Sequence, residues 1–215
     1  YGNYSALLVT NLNNFSPKDA GTALVVLWIN DADLVEAEYN DGTSAAEWNT
    51  DINRSQVNHF NIIAQLYAKG VRTLVMPNAV DLSKIPLMDR SPNASFISSM
   101  CVNYNAAFAA TLNKARASFP GLTIYSPDFA AFLRNMLAHP ASYGVTNALY
   151  EGQSFDAVET AGMNGTLANL RPTSSPYVNY IFWDYIDPSA KVHYWMANIA
   201  QQLISPVKIS GVTPG

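Results

Sequence analysis

Charge and cysteine are both scarce in this sequence. Charged residues make up 13% of its 215 residues, and the formal net charge is −4. The twelve lysines and arginines are scattered along the chain, so the basic surface typical of nucleic-acid-binding proteins is missing and we expect no nucleic-acid partner. The single cysteine, Cys101, has no partner for an internal disulfide, and its helical surroundings predict a buried apolar role.

Long hydrophobic runs and a targeting segment are missing as well. The longest apolar run, Ala23–Ile29, is far shorter than the roughly 20 residues of a membrane-spanning helix, so we expect no membrane span. The first residues lack a charged segment followed by an apolar one, so we expect that any signal peptide has been removed or was never included in this sequence. Low charge and several Asn-x-Ser/Thr sequons favour a secreted, extracellular or periplasmic protein. The sequons begin at Asn3, Asn14, Asn53, Asn93 and Asn164.

The share of hydrophobic residues indicates a globular protein. It amounts to 49%, which excludes a disordered chain. A chain of this length accommodates one domain more easily than two, so we predict a single domain over residues 1–205. The residues 206–215 contain two glycines and two prolines, and we predict that they form a linker-like tail.

Predicted strands and helices alternate along the chain. The run Ala23–Ile29 is rich in β-branched residues and predicts a strand at the centre of a parallel sheet. A crossover helix follows over Ser55–Lys69, with Ser55 as its N-cap. The later predicted elements are strand Val71–Met76, helix Ser95–Ser118, strand Leu122–Tyr125, helix Phe129–Ala138, strand Tyr180–Trp183 and helix Ser189–Ile204, with 141–176 irregular. This alternation predicts a three-layer α/β/α domain with a mainly parallel sheet.

Polar residues follow the predicted strands where they end. Ligands bind at the carboxyl ends of the strands in open α/β sheets, so these residues are functional candidates. They are Asn30, Asp31 and Asp33 after the first strand, Asn78 and Asp81 after the second, and Asp184, Asp187 and His193 after the last. Trp48, expected in a polar loop, is a candidate binding residue. The carboxylates could surround a divalent cation, but no metal-ligand spacing supports this, so we expect no metal and no cofactor.

Four segments occur in the order and spacing found in one enzyme family. They are Leu66–Arg72, Tyr104–Phe108, Pro140–Asn147 and Phe182–His193. Together they resemble the SGNH, or GDSL-type, esterases and lipases over residues 23–205. The resemblance implies a flavodoxin-like fold and hydrolysis of carboxylic esters, with a small-molecule ester or an acylated carbohydrate as the substrate. It also implies a Ser-His-Asp triad and an oxyanion hole that includes a glycine and an asparagine.

The sequence departs from the family pattern at the triad. Asp184 matches the triad aspartate, but Asp187 stands where the family has its catalytic histidine, and no Gly-Asp-Ser nucleophile motif occurs. An ordinary carboxylate is a weaker general base than imidazole, so Asp187 would need a raised pKa. His193 is either a substitute base or a structural residue of the last helix. Asp187 is also placed to cap that helix.

The oxyanion position has two alignments. Aligning Trp28 and Asp33 with the family pattern places Asn30 at its glycine and Ala32 at its asparagine. A shift of two residues places Asn30 at the asparagine and Trp28 at the glycine instead. The candidate oxyanion and substrate-binding residues are therefore Asn30, Asp33, Asn78 and Trp48.

Two functions are open at this point. In the first, the chain belongs to an ester hydrolase whose serine lies outside these residues, because Ala23–Ile29 matches the family's third block and we expect the strands before it to be absent. In the second, the chain is a catalytically degenerate binding or structural module. An incomplete sheet has an unpaired edge, which predicts a partner chain or self-association through that edge.

Overall fold

A computed structural model describes residues 4–150, 153–169 and 177–205. Its helices are α1 (Tyr4–Asn11), α2 (Asn30–Asp41), α3 (Ala45–Ala68), α4 (Pro86–Asp89), α5 (Ala94–Ser118), α6 (Phe129–Ala138), α7 (Ala157–Met163) and α8 (Ala190–Ile204). Its strands are β1 (Leu24–Val26), β2 (Thr73–Val75), β3 (Thr123–Tyr125), β4 (Ala148–Tyr150) and β5 (Gln153–Phe155). Short 3₁₀ helices cover Leu12–Asn14, Leu82–Lys84, Pro140–Tyr143 and Leu167–Asn169. The predicted mixed α/β class is confirmed, and within these ranges no helix has both the length and the apolar character needed to cross a membrane.

The chain divides into two compact units. The first comprises Tyr1–Val80 and Phe96–Asp128, and the second comprises Asp81–Ser95 and Phe129–Gly215. The single domain over residues 1–205 stays a prediction. The predicted tail 206–215 lies outside the described residues.

The first unit contains a three-stranded parallel sheet. Its order is β1-β2-β3, and its register aligns Leu24 with Thr73 and Thr73 with Thr123. The parallel pairing expected of the alternating strands and helices is confirmed. The central position predicted for the first strand is wrong for the described residues, because β1 pairs only with β2. An apolar, β-branched run indicates burial but does not show which strands lie beside it.

One face of β1 is exposed. Leu24 is 45% exposed and Val26 is 63% exposed. Successive side chains of a strand point to opposite faces, so these two share a face, and Val25 lies on the other face in register with the buried Leu74 and Ile124. Among the described residues, the face of β1 that carries Val25 is therefore partly buried, and the face that carries Leu24 and Val26 is open.

Helix α3 begins at Ala45, before the predicted start at Ser55. Its N-cap is Ser44, whose hydroxyl accepts a hydrogen bond from the Glu47 amide, so the prediction of Ser55 as the N-cap is wrong. Ser55 is buried in the middle of the helix. The first turns of this helix were missed because mostly polar residues separate Trp48 from the later apolar positions, so the apolar spacing of a helix is not evident there.

Two other helices follow their predicted bounds closely. Helix α5 begins one residue before the predicted Ser95, and α6 begins and ends at the predicted residues. Cys101 lies on the buried face of α5 and is a free thiol, as expected. Both helices carry long, regular apolar patterns, which are the most dependable sequence signal for a helix.

The second unit contains short strands that differ from the prediction. Strands β4 and β5 pair antiparallel in a region predicted to be irregular. The strand predicted over Tyr180–Trp183 is wrong, because Tyr180 and Phe182 form only isolated bridges, to Thr146 and Pro188 respectively. Three-residue strands and single bridges contain too few residues to show an apolar alternation.

The start of α8 also differs from the prediction. Ser189 is its N-cap residue, with an extended backbone, and its carbonyl accepts a hydrogen bond from the His193 amide. The prediction that Asp187 caps this helix is therefore wrong. Asp187 lies in the turn that precedes the helix.

Candidate functional site

Polar side chains connect the ends of the three parallel strands in the first unit. Asn30 begins α2, and its Nδ2 donates a hydrogen bond to the Pro77 carbonyl, which follows β2, at 2.9 Å. Asn78 Nδ2 donates to Oδ1 of Asp128, which follows β3, at 2.8 Å. We call Asn30, Asp31, Asn78 and Asp128 the strand-end cluster. It lies at the edge of the sheet where ligands of open α/β proteins bind.

Helix α5 fixes the loop that carries Asn78. The Ala79 amide donates to Asn105 Oδ1 at 3.0 Å, and Asn105 Nδ2 donates to the Ala79 carbonyl at 2.9 Å. Sequence reasoning missed Asn105, although it lies in the segment Tyr104–Phe108 that carries part of the resemblance. A single asparagine on a helix has no pattern that could have revealed this contact.

Asp31 is the residue of the strand-end cluster whose pKa is raised. Burial raises its pKa from 3.8 to about 7, although two hydrogen bonds favour the ionised form. The Val80 amide donates to Oδ1 at 2.9 Å, and Trp28 Nε1 donates to Oδ2. The carboxyl therefore changes its charge near neutral pH at the end of β1. The sequence identified Asp31 as a polar residue at the end of the first strand and as an alternative metal ligand, but it did not indicate the raised pKa.

Asn30 is held in a buried position. Its side chain is 1% exposed, and one Nδ2 hydrogen is engaged by the Pro77 carbonyl. Asn30 Oδ1 is buried without a hydrogen-bond partner among the described residues. An oxyanion donor must instead direct its hydrogen towards the substrate. The geometry accordingly gives Asn30 a clear role in connecting two strand ends.

Asp33 belongs to a separate buried network. Its Oδ1 accepts the Ser5 amide at 3.1 Å, and its Oδ2 accepts the Ser55 hydroxyl at 2.5 Å. The Ser55 hydroxyl also lies 2.9 Å from the Tyr104 hydroxyl. These contacts connect α1, α2, α3 and α5, so Asp33 holds helices together within the first unit.

Trp48 lies in helix α3, so its predicted position in a polar loop is wrong. Its indole is fully buried, donates from Nε1 to the Gly42 carbonyl at 3.0 Å, and packs edge-on against Phe96. A ring enclosed in this way presents no surface to a ligand. Trp48 packs in the core of the first unit.

In the second unit, Asp184 and Asp187 occupy one closed turn. Asp184 Oδ1 accepts the Ile186 amide at 2.9 Å and the Asp187 amide at 2.7 Å. The Trp183 amide donates to the Asp187 carbonyl at 2.8 Å. The side chain of Asp184 therefore shapes the turn and is itself held in one orientation.

Neighbouring helices hold this turn from outside. The Val158 amide, in the first turn of α7, donates to the Trp183 carbonyl at 3.0 Å. The Leu87 amide of α4 donates to the Tyr185 carbonyl at 2.9 Å. The first amides of a helix lack partners within the helix, and α7 directs two of them at the chain before Asp184.

Asp187 has a raised pKa. The first cause is partial burial, the second is the negative charge of Asp184, and the nearby His193 opposes the shift. Asp187 and His193 are both exposed, and no hydrogen bond connects them within the described ranges. The structure thus brings Asp184, Asp187 and His193 into one electrostatic neighbourhood, with Asp187 at its centre.

Asp156 is a buried carboxyl that the sequence analysis missed. It is 1% exposed and caps α7, because its Oδ1 accepts the Glu159 amide at 2.7 Å. Burial first, and the charges of Glu159 and Asp184 further, raise its pKa to about 6. The spacing Asp156-x-x-Glu159 matches a capping box and could have identified the cap. Nothing in the sequence indicated its burial.

Neither set of carboxylates gathers enough ligands for a metal ion. Among the residues that the structure describes, no group of three or more His, Cys, Asp or Glu side chains is arranged to hold one. Asn30 and Asn78 belong to the first unit, whereas Asp184, Asp187 and His193 belong to the second.

Comparison with protein-family models finds no match for this sequence, and a search of curated proteins finds no significant match either. The class of the protein is therefore described from its fold and its polar residues. The chain is a mixed α/β protein with a small parallel sheet.

Proposed function

We propose that the chain is part of a carboxylic-ester hydrolase with a flavodoxin-like fold of the SGNH type. The observation that carries this proposal is the braced turn from Asp184 to Asp187, directly before α8. A triad carboxylate must be held in a fixed orientation, and Asp184 accepts two backbone amides at 2.9 and 2.7 Å. The order of the four segments that resemble GDSL-type esterases supports the same function.

Asp187 is the proposed general base. Its raised pKa makes it a stronger base than an ordinary carboxylate. In the reaction, a serine hydroxyl attacks the ester carbonyl carbon while its proton passes to Asp187. The leaving alcohol then takes that proton, and water hydrolyses the acyl-serine in the same manner. We propose that the serine lies outside these 215 residues.

The substrate class follows from the same resemblance. We propose a small-molecule ester or an acylated carbohydrate, with Asn78 as a polar contact at the strand ends. Asn78 is only partly buried, and its loop is held by Asn105, so its position is well defined. Asp33 and Trp48 are engaged in internal packing, which favours structural roles for both. Secretion is a further part of this proposal.

A second candidate function is a non-catalytic binding or structural module. The observation that favours it is the orientation of Asn30, whose amide hydrogen is directed at the Pro77 carbonyl, at 2.9 Å, inside the protein. The second candidate is also favoured by the residue type of Asp187, which is a carboxylate where the family has an imidazole. A module of this kind would retain the fold without ester turnover.

An ester assay with the complete encoded polypeptide decides between the two functions. We expect it to hydrolyse p-nitrophenyl esters, and we expect Asp184→Ala and Asp187→Asn each to lower kcat by about 100-fold or more. Asp19→Asn changes an exposed aspartate outside the strand-end cluster and outside the turn from Asp184 to Asp187, and it should leave kcat unchanged. Circular dichroism of each variant confirms that the fold is retained.

A fluorophosphonate probe provides an independent readout. It should label one serine covalently, and the labelled peptide identifies the nucleophile. Absence of both turnover and labelling would establish the non-catalytic module. Turnover that Asp184→Ala leaves unchanged would refute the role of the turn, and a larger loss in His193→Gln than in Asp187→Asn would make His193 the base.

A further inference from the structure

A small cavity in the second unit lies along helix α6. Its volume is about 130 Å³, and its lining residues are Asp81, Lys84, Ala130, Leu133, Arg134 and Leu137. The last four occupy positions i, i+3, i+4 and i+7 of the helix, which form one face. The first two come from the 3₁₀ turn Leu82–Lys84 and the residue that caps it.

The wall that α6 provides is mainly apolar. Ala130, Leu133 and Leu137 contribute only hydrocarbon to the cavity, and Leu133 is buried. Water in such a space finds few hydrogen-bond partners, so an apolar chain replaces it favourably. This part of the cavity therefore suits a short hydrocarbon group.

The polar part of the lining has an excess of positive charge. Lys84 and Arg134 are exposed residues, and the side chain of neither makes a hydrogen bond or a salt bridge within the described residues. Asp81 is the one acidic lining residue, and its Oδ1 already accepts the Ser83 amide at 3.0 Å. Two cations thus face a space that holds a single, engaged carboxylate.

The volume limits the ligand to a few atoms. A cavity of about 150 Å³ accommodates benzene, which has six non-hydrogen atoms, so one of about 130 Å³ accommodates about five, close to the six of butyrate. We propose that the cavity binds a short aliphatic carboxylate such as butyrate. The hydrocarbon chain lies against Ala130, Leu133 and Leu137, and the carboxylate lies between Lys84 and Arg134. The proposal stands independently of ester hydrolysis, because it uses none of the residues of the Asp184 turn.

Titration of the ¹⁵N-labelled protein with butyrate, followed by NMR, tests the proposal. We expect saturable shifts at the α6 amides with a Kd of about 1 mM, as befits so small a ligand. Butyramide has the same shape without the charge, and we expect it to bind at least ten times more weakly. Saturation at equal concentrations of the two ligands, or no saturable shift with butyrate, would overturn the proposal.

Three substitutions and a control locate the site. Lys84→Gln and Arg134→Gln each remove one cation from an exposed side chain and should weaken butyrate binding at least five-fold. Ala130→Leu fills the apolar part and should abolish binding. Lys18→Gln removes an exposed cation of the first unit and should leave the Kd unchanged. If Ala130→Leu fails to fold, the two glutamine variants still decide, and butyrate affinity that neither of them lowers contradicts the assignment.

Discussion

Asp31 shows at the scale of a single residue how the fold changes a side chain's chemistry. An aspartate at the end of a strand is ordinarily ionised, yet burial raises the pKa of Asp31 to about 7. The hydrogen bonds from Val80 and Trp28 favour the charged form but only partly offset the burial. The charge at the strand ends of the sheet therefore depends on the pH of the solution.

The raised pKa makes the stability of the first unit depend on pH. Between pH 4 and 7 the folded protein keeps a proton on Asp31 that the unfolded chain releases, so stability falls as the pH rises through this window. We expect Asp31→Asn to reduce this loss by about 2 kcal/mol between pH 4 and 7.5, which is less than the full shift because Asp31 is partly exposed. Urea unfolding followed by circular dichroism measures it.

Trp28→Phe is the matched control for this prediction. The indole donor of Trp28 lowers the pKa of Asp31, so its removal raises this pKa further. The titrating carboxyl itself is kept. We expect Trp28→Phe to retain the loss of stability with rising pH, or to steepen it. Asp156, whose pKa is also raised, contributes in the same direction and stays in both variants. An identical pH dependence of Asp31→Asn and the unsubstituted protein would refute the role of Asp31.

The individual residues also show what the sequence could predict. Asp184 could be located because the segment from Phe182 to His193 resembles a known pattern. The burial of Asp156 and the shift of Asp31 could not, because both depend on groups that are distant in the chain. Trp48 was predicted to be a binding residue in a polar loop because its neighbours in sequence are polar, but it lies in the core of the folded unit.

At the scale of elements, α7 is the helix that positions the Asp184 turn. A bidentate salt bridge fixes it, because Arg90 donates to both carboxylate oxygens of Glu159 at 2.7 Å. Arg90 also donates to the Ser154 carbonyl at 3.0 Å, beside the start of the helix. The first amides of α7 then hold the chain before Asp184. A weaker attachment of α7 would therefore also weaken the contacts that position the proposed catalytic turn.

A double-mutant cycle measures the strength of this attachment. We expect Arg90→Gln and Glu159→Gln to show a coupling of about 1 kcal/mol in the free energy of unfolding, since the pair is bidentate but about one-third exposed. Arg90 lowers the pKa of Glu159, so this stabilisation is present above pH 4.5 and is lost as the pH falls below it. Urea unfolding of the four proteins at pH 7 and pH 3 provides the data.

The pair Arg54 and Asp51 is the control for the cycle. These side chains lie three positions apart on α3 and approach to 3.0 Å, but the Arg54 side chain is 47% exposed and the contact involves one nitrogen. We expect a coupling below about 0.5 kcal/mol for this pair. Equal couplings in the two cycles, or a coupling at Arg90 that persists at pH 3, would contradict the proposed attachment.

Helices α5 and α6 were predictable from the sequence, whereas the short strands of the second unit were not. Helices α5 and α6 have several turns of regular apolar spacing, and the prediction placed both to within one residue. Strands β4 and β5 have three residues each and were missed, because pairing with a neighbour rather than local pattern defines them. Ser55 illustrates the same limit, since a serine suited to capping lies inside α3 instead.

At the scale of the whole molecule, the parallel sheet leaves the outer edge of β1 without a paired strand among the described residues. The alternation of strands and helices predicted parallel pairing, but it could not show that β1 lies at the edge of the described sheet. The run Ala23–Ile29 contains no charged residue and no proline, which are the features that protect edge strands from pairing with other chains. Leu24 and Val26 add exposed apolar surface to this edge.

We therefore predict that the protein self-associates through β1. Analytical ultracentrifugation over about 1 to 100 μM should show a concentration-dependent dimer, because an unprotected strand edge satisfies its backbone groups by adding a strand. Val26→Lys introduces a charge on β1 and should shift the protein to the monomer. Val102→Lys is the control, since Val102 is 66% exposed and belongs to α5 rather than to β1, and its substitution should leave the dimer intact. A monomer at every concentration, or equal effects of the two lysines, would show that the β1 edge does not mediate self-association.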